Sequence, residues 1–174
     1  FPQMIKEDLK NPIMASVAGT FSMALMLLST YVKPFIGQAA FIIWIAAIIL
    51  HIILIVWFTV KFIAKLQLPK VFASYYIVYV GIAVAAVTAP AYEQLGIGSA
   101  AFWFGLITFV LLFILVTIRY TKCKEVPEPA QPLICIYAAP LSLCIAGYVQ
   151  SVTPKSRTFL LTMLVIATVI YLFA

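Results

Sequence analysis

The chain has 174 residues, of which 66% are hydrophobic and 9% are charged, and its formal net charge is +6. This composition excludes an ordinary soluble domain, in which about a quarter of the residues carry a charge. Because the basic residues lie at or near the ends of apolar stretches, the positive charge indicates membrane topology, and we expect no nucleic-acid partner.

Six apolar stretches have about the length that an α-helix needs to cross a bilayer, which is about 20 residues. They predict an all-α integral membrane protein with one transmembrane domain over residues 1–174, and they leave little chain for a soluble domain. The predicted spans, numbered first to sixth, are residues 13–32, 39–60, 72–92, 99–118, 131–150 and 158–174.

The first two spans differ in the size of their side chains. Asn11 can cap a helix whose first turn holds Pro12, and small residues are frequent in the first span. The second span is bulky, with Trp44 and Trp57 toward its two ends, as expected for aromatic residues at a membrane interface.

The third span, VFASYYIVYVGIAVAAVTAPAY with Val71 included, carries no charge and is rich in alanine. Small residues in a membrane helix predict close packing or the border of a cavity. The fourth and sixth spans are bulky, whereas the fifth contains Pro140, for which a mid-helix position predicts a kink. The sixth span ends inside an apolar run, and we interpret the chain as the interior of a longer protein.

An internal repeat of about sixty residues is visible. Pro12 and Pro132 are 120 residues apart, Phe72 opens the third span midway, and Ser22 and Ser142 keep the same offset. The repeat predicts three helical hairpins, each with a small-residue inner helix followed by a bulky outer helix that faces lipid. A solid six-helix bundle without a pore remains the alternative.

The basic residues also predict an orientation. The side of the membrane that holds residue 1, here called face one, carries eight Lys or Arg residues, whereas face two carries three. The excess of positive charge places face one in the cytoplasm. The residues of face one are Lys6, Lys10, Lys61, Lys65, Lys70, Arg119, Lys122 and Lys124, and those of face two are Lys33, Lys155 and Arg157.

No span contains Asp, Glu, Lys or Arg in its interior, so coupled pumps and membrane enzymes are disfavoured. His51 lies mid-span, where a hydrogen bond to a neighbouring helix is the main expectation and a proton relay the alternative. One His and no C-x-x-C spacing predict no metal site, and we expect no cofactor, no catalytic residue and no enzymatic activity. An integral-membrane enzyme that uses the loop 119–128, or a non-transporting accessory subunit, remains a competing reading.

An uncharged lumen could pass anions by means of helix-end dipoles, hydroxyl groups and a mildly positive field. Candidates for its lining are small or hydroxyl-bearing residues on the three inner spans. They are Ser16, Gly19, Thr20, Ser22, Ser74, Gly81, Ala85, Thr88, Ala139, Pro140, Ser142 and Ala146.

The stretches NPIMASVAGTFSMALMLLSTYVKPF and SYYIVYVGIAVAAVTAPAY resemble the tellurite-resistance/dicarboxylate transporter (TDT) family, which includes slow-type anion channels. The resemblance runs over nearly the whole chain. It implies a ten-helix pore of five hairpins in the plasma (inner) membrane, assembled as a homotrimer. Its substrates would be small anions such as malate-like dicarboxylates, tellurite or inorganic anions, carried by a channel or by a proton-coupled carrier.

In that family, as the resemblance implies, the pore is occluded by a Phe of the ninth helix. The chain would supply the third to eighth helices, so the gating residue would lie outside it, and Phe21 on the first inner span does not match the gate. We therefore expect residues 1–174 alone not to form a sealed pore. Selective anion currents from this chain reconstituted by itself would contradict that expectation.

Overall fold

The structure is a computed structural model that describes residues 7–123 and 125–173. Within these residues all regular secondary structure is helical, with no β-strand, so the predicted all-α fold is confirmed. Four helical segments are long and apolar enough to cross a membrane: Pro12–Ile36, Gln38–Ile63, Leu95–Lys122 and Ala130–Ser151. Some predictions fall on residues outside the described part of the chain, namely Phe1, Lys6, Lys124 and Ala174.

The first hairpin follows the sequence closely. Helix α1 (Pro12–Val17) begins with the expected cap, because Asn11 Oδ1 accepts a hydrogen bond of 2.9 Å from the Ile13 N–H. Helix α2 (Gly19–Ile36) continues the first span. Gly37, whose φ of 55° favours glycine, makes the turn into α3 (Gln38–Phe58). A π-helical turn, Thr59–Ile63, ends the second span.

The third span is not one continuous helix. It consists of α4 (Tyr75–Tyr79), a turn at residues 80–82, α5 (Ala83–Thr88) and a 3₁₀-helical end, Ala89–Tyr92. The predicted span over residues 72–92 is therefore helical but interrupted. Its apolar composition is the same in a broken helix as in a straight one, so hydropathy alone does not reveal the break.

The fourth span is helix α6 (Leu95–Lys122), and the fifth has two parts. A 3₁₀ helix, Glu128–Tyr137, leads into α7 (Ala139–Ser151). Pro140 lies in the first turn of α7, where a missing N–H costs no helical hydrogen bond, so it stands at the junction of the two parts and the kink stays a prediction. Helix α8 (Arg157–Phe173) forms the sixth span.

Small residues in the third span pack against glycines of neighbouring helices. A Cβ built on Gly105 would lie 3.3 Å from Ala83 Cβ, and one built on Gly147 would lie 2.9 Å from Ala86 Cβ. These contacts let the backbones of α6 and α7 approach α5 closely. The third span is consequently the most enclosed part of the bundle, with nearly every residue buried.

The outer helices expose large apolar side chains. On α3 they include Ile42 and Ile53, with 69% and 58% of their surfaces accessible, and on α6 Leu111 is 62% exposed. Such surface is stable against lipid chains and not against water. Of the three inner spans only the third is enclosed: on the first, Phe21 and Tyr31 are 63% and 73% exposed. The division between lipid-facing and enclosed spans therefore stays a prediction.

Candidate functional site: the seam between the inner spans

Side-chain contacts recur between successive hairpins with a shift of 58 residues. Thr59 donates to a carbonyl of its own helix, so the Tyr79 hydroxyl donates to Thr59 Oγ1, at 2.7 Å. Thr117 and Tyr137 form the same pair one repeat later. Each pair ties the end of an outer span to the inner span that follows it.

Basic side chains at the same ends of the outer spans repeat in the same way. Lys61 Nζ donates to the Leu9 carbonyl at 2.7 Å, and Arg119 donates to the Pro69 carbonyl at 3.4 Å. In both cases a cation at the end of an outer span holds the segment that leads into an inner span. The hairpins are therefore structurally equivalent units.

The contacts correct the repeat length for the helix interiors from sixty to 58 residues. Two repeats of 58 residues give a shift of 116, so Ser22 and Ser142, which are 120 residues apart, are not equivalent positions. Ser22 is buried, whereas Ser142 is exposed. The sixty-residue spacing is retained only in the segments before the inner spans, such as Leu9 and Pro69.

The three inner spans meet at a small cavity of about 120 Å³. Met23, Gly81 and Ala139 line it, and these residues follow one another at intervals of 58. Equivalent positions of three repeats therefore converge on one point, as they do around a pseudo-symmetry axis. The rest of the lining comes from the third and fifth spans: Tyr76, Ile77, Val80, Ile136, Pro140 and Leu143.

Gly81 lies at the break in the third span because no larger residue fits there. The N–H groups of Val80 and Gly81 both donate to the Tyr76 carbonyl, at 2.8 and 3.2 Å, which interrupts the regular helical pattern. A Cβ on Gly81 would lie 2.7 Å from Met23 Sδ and would overlap the Ile77 carbonyl oxygen. The glycine thus combines a backbone irregularity with close contact to the first span.

His51 connects the second span to both neighbouring inner spans. Its ring is fully buried, and Nε2 donates to the Val78 carbonyl at 2.9 Å, next to the helix break. A carbonyl only accepts, so in the neutral ring Nδ1 accepts from the Ser22 hydroxyl, at 2.6 Å, and the Gly19 carbonyl, 2.9 Å from Ser22 Oγ, competes for the same proton. His51 therefore makes the interhelical hydrogen bonds that were its main expectation, and the proton-relay role stays a prediction.

The twelve predicted pore-lining residues divide into two groups. Eight are buried in contacts between helices: Ser16, Gly19, Ser22, Ser74, Gly81, Ala85, Thr88 and Pro140. Four are exposed: Thr20, Ala139, Ser142 and Ala146.

Several of the buried hydroxyls have structural partners. Thr88 Oγ1 accepts from Trp44 Nε1 at 2.8 Å and donates to the Val84 carbonyl, while Ser16 donates to the Ile13 carbonyl. These groups stabilise contacts between or within helices. Their assignment to a lumen stays a prediction.

The exposed residues of the fifth span share one helical face. Ala139, Ser142 and Ala146 are spaced i, i+3 and i+7, which places them in one stripe along α7. Ala139 also lines the cavity, so the stripe begins at the cavity and runs along α7 from there. The face offers small side chains and one hydroxyl, which leaves room beside the helix.

A basic vestibule lies at the end of the bundle where the inner spans begin. It encloses about 740 Å³, and Pro12, Phe72 and Ala130, one from the start of each inner span, line it. Four lysines also line it, Lys10, Lys61, Lys65 and Lys70, together with one carboxylate, Glu7.

Sequence reasoning did not identify the vestibule or Met23 as site residues. The lysines were interpreted only as a topology signal, although their clustering at the same end of neighbouring spans was a usable clue. Met23 has neither a polar group nor a small side chain, so its residue type gave no signal. Only the 58-residue repeat places it beside Gly81, and that repeat was found from tertiary contacts and not from the sequence.

The site has no arrangement typical of catalysis. Among the described residues, no three His, Cys, Asp or Glu side chains are grouped so that they could hold a metal ion. The cysteines Cys123, Cys135 and Cys144 are free thiols. The seam between the inner spans, at Met23, Gly81 and Ala139, carries no charged side chain, and the basic vestibule lies at the starts of those spans.

Comparison with known proteins identifies a family. A family model described as "SLAC1: Voltage-dependent anion channel" matches residues 1–174. No curated protein and no solved structure matches the chain. The match covers the whole chain, whereas the resemblance noted in the sequence rested on two stretches. The chain is a multi-pass membrane protein and belongs to the voltage-dependent anion channel (SLAC1) family, whose members are channels and transporters of small anions.

Proposed function

We propose that small anions cross the membrane along the seam between the three inner spans, past Met23, Gly81 and Ala139. The observation that carries this proposal is the convergence of these three repeat-equivalent positions on one cavity. When helices are related by a pseudo-symmetry axis, a space that all of them border lies on that axis. The exposed small-residue stripe of α7 supports an open continuation of the same path.

The chemistry of the path suits anions that bind weakly. The seam carries no carboxylate that would repel them and no cation that would retain them, and conduction requires binding that is weak enough for release. The lysines of the vestibule raise the local concentration of anions at one end.

We propose malate-like dicarboxylates, tellurite or inorganic anions as substrates, and a homotrimeric assembly with face one in the cytoplasm. Liposome flux with each anion, with and without a pH gradient, tests the substrate and separates a channel from a proton-coupled carrier. A carrier would transport faster when protons flow in the same direction, whereas a channel would respond only to the electrochemical gradient of the anion.

Cysteine modification tests the path directly. In a cysteine-free background of the protein, Ala139→Cys and Ser142→Cys should lose most anion flux after reaction with a charged methanethiosulfonate. Ile53→Cys, on the lipid-facing side of α3, is the matched control and should retain it. If Ala139→Cys is fully modified and flux is unchanged, the path does not pass this residue.

A further inference from the structure

The basic vestibule is larger and more positive than a site for one small anion requires. Its volume of about 740 Å³ lies in the range of pockets that hold organic ligands, about 300–1,000 Å³. Four lysines face one carboxylate in its lining, so the positive charge exceeds what Glu7 can neutralise.

Two further observations show that cations in and beside the vestibule have neutral partners among the described residues. Lys61 donates to the Leu9 carbonyl, a neutral acceptor, and its ammonium lies 4.6 Å from the centre of the Trp57 ring. Behind the vestibule wall, Arg119 is almost fully buried against Phe72, with its guanidinium 4.9 Å from the ring centre.

Arg119 adds a positive charge, and its hydrogen-bond acceptors among the described residues are all backbone carbonyls. Its terminal nitrogens donate to the carbonyls of Pro69, Cys123 and Glu125, which carry no net charge. Its Nε has no hydrogen-bond partner among the described residues. The guanidinium therefore strengthens the positive potential of the adjacent pocket.

We infer that the vestibule binds a group that carries two or more phosphate charges. Lysine ammonium groups bind phosphate as point charges, and lysine clusters next to membrane spans are typical of sites for phosphorylated lipid headgroups. A soluble pyrophosphate-type ligand has the same chemistry. Lys10, Lys65 and Lys70, which are exposed at the rim, supply the contacts in either case.

Binding at this place has a consequence for transport. The vestibule adjoins the start of each inner span, so an occupied vestibule would cover one end of the path and lower anion flux. This consequence rests on the proposed function, whereas the binding itself does not. A binding assay without any flux measurement therefore separates the two.

The experiment titrates the purified chain in neutral detergent at 0.15 M salt with two probes, pyrophosphate and a short-chain phosphatidylinositol bisphosphate. Fluorescence of Trp57, in contact with Lys61, reports occupation, and native mass spectrometry gives the stoichiometry. The test variant is K10Q/K65Q/K70Q. The matched control, K33Q/K155Q/R157Q, removes the same charge from exposed residues of face two.

Each lysine near an anionic phosphate surface contributes about fivefold in affinity, so the test variant should lose about 100-fold and the control less than threefold. Binding of pyrophosphate supports a soluble ligand, and binding of only the lipid probe supports a headgroup in the adjoining leaflet. The inference is overturned if neither probe binds, or if test and control variants lose affinity equally. Should the triple variant unfold, single K65Q and K70Q variants must each lose about fivefold for the inference to stand.

Discussion

Gly81 provides the sharpest test of how the inner spans are packed. In Gly81→Ala, the new Cβ would lie 2.7 Å from Met23 Sδ and 3.1 Å from His51 Cε1, and it would overlap the Ile77 carbonyl oxygen. Non-bonded carbon contacts are normally about 3.5–4.0 Å long. Because the nearest obstacle is backbone, a side-chain movement cannot relieve the clash.

The size of the effect follows from two opposing terms. Overpacking typically costs about 1–3 kcal/mol, while replacing glycine by alanine recovers about 0.4–1 kcal/mol through the unfolded state. The net loss should be about 1–2 kcal/mol. For a chain of this size the loss lowers Tm by about 2–8 °C, since each kcal/mol corresponds to about 2–4 °C.

Gly96→Ala is the matched control, because no atom lies within 4 Å of a Cβ built on Gly96. Thermal unfolding of the purified variants in detergent, followed by tryptophan fluorescence, should show Gly81→Ala below the wild type and Gly96→Ala at or above it. The double variant Met23→Ala/Gly81→Ala should not recover, since the Ile77 carbonyl remains. Equal Tm values for the two single glycine variants would refute the packing argument.

The remaining predictions concern hydrogen bonds that join the spans. His51→Phe should cost about 1–3 kcal/mol in unfolding free energy, because a buried backbone carbonyl loses its donor; unchanged stability in denaturant titration would contradict that role. Thr59→Val and Thr117→Val should each cost about 1 kcal/mol by the same titration, and clearly unequal losses would argue against equivalent hairpins. A double-mutant cycle of Trp44→Phe and Thr88→Val should give a coupling of about 1 kcal/mol, whereas simple additivity would exclude their hydrogen bond as a stabilising contact.

The sequence predicts the class of the fold well because the bilayer imposes simple rules. Apolar length, the Asn11-Pro12 start and the alternation of small and bulky spans are local properties, and the structure agrees with them. The break in the third span depends instead on Met23 and His51 packing against Gly81, contacts that join three helices. Local pattern therefore indicates that this stretch is closely packed, but not that it is interrupted.

The candidate site was harder to predict for a related reason. Small or hydroxyl-bearing residues are used both to bring helices together and to leave space, and their type alone does not separate the two uses. Ala85 and Ala139 have the same side chain, yet Ala85 is fully buried and Ala139 is exposed beside the cavity. Their positions in the 58-residue register distinguish them, and that register is defined by tertiary contacts such as Thr59 to Tyr79.

The dimensions of the seam bear on how an anion would pass in the proposed function. The cavity of about 120 Å³ is lined almost wholly by apolar side chains, so a passing anion would find few polar groups there to replace its hydrating waters. At the level of Gly81 one wall is backbone and the other is Met23, whose unbranched side chain adapts its shape readily. Widening of the path would therefore come from Met23 rather than from Gly81, while the lysines that attract the anion remain at the vestibule, outside the narrow region.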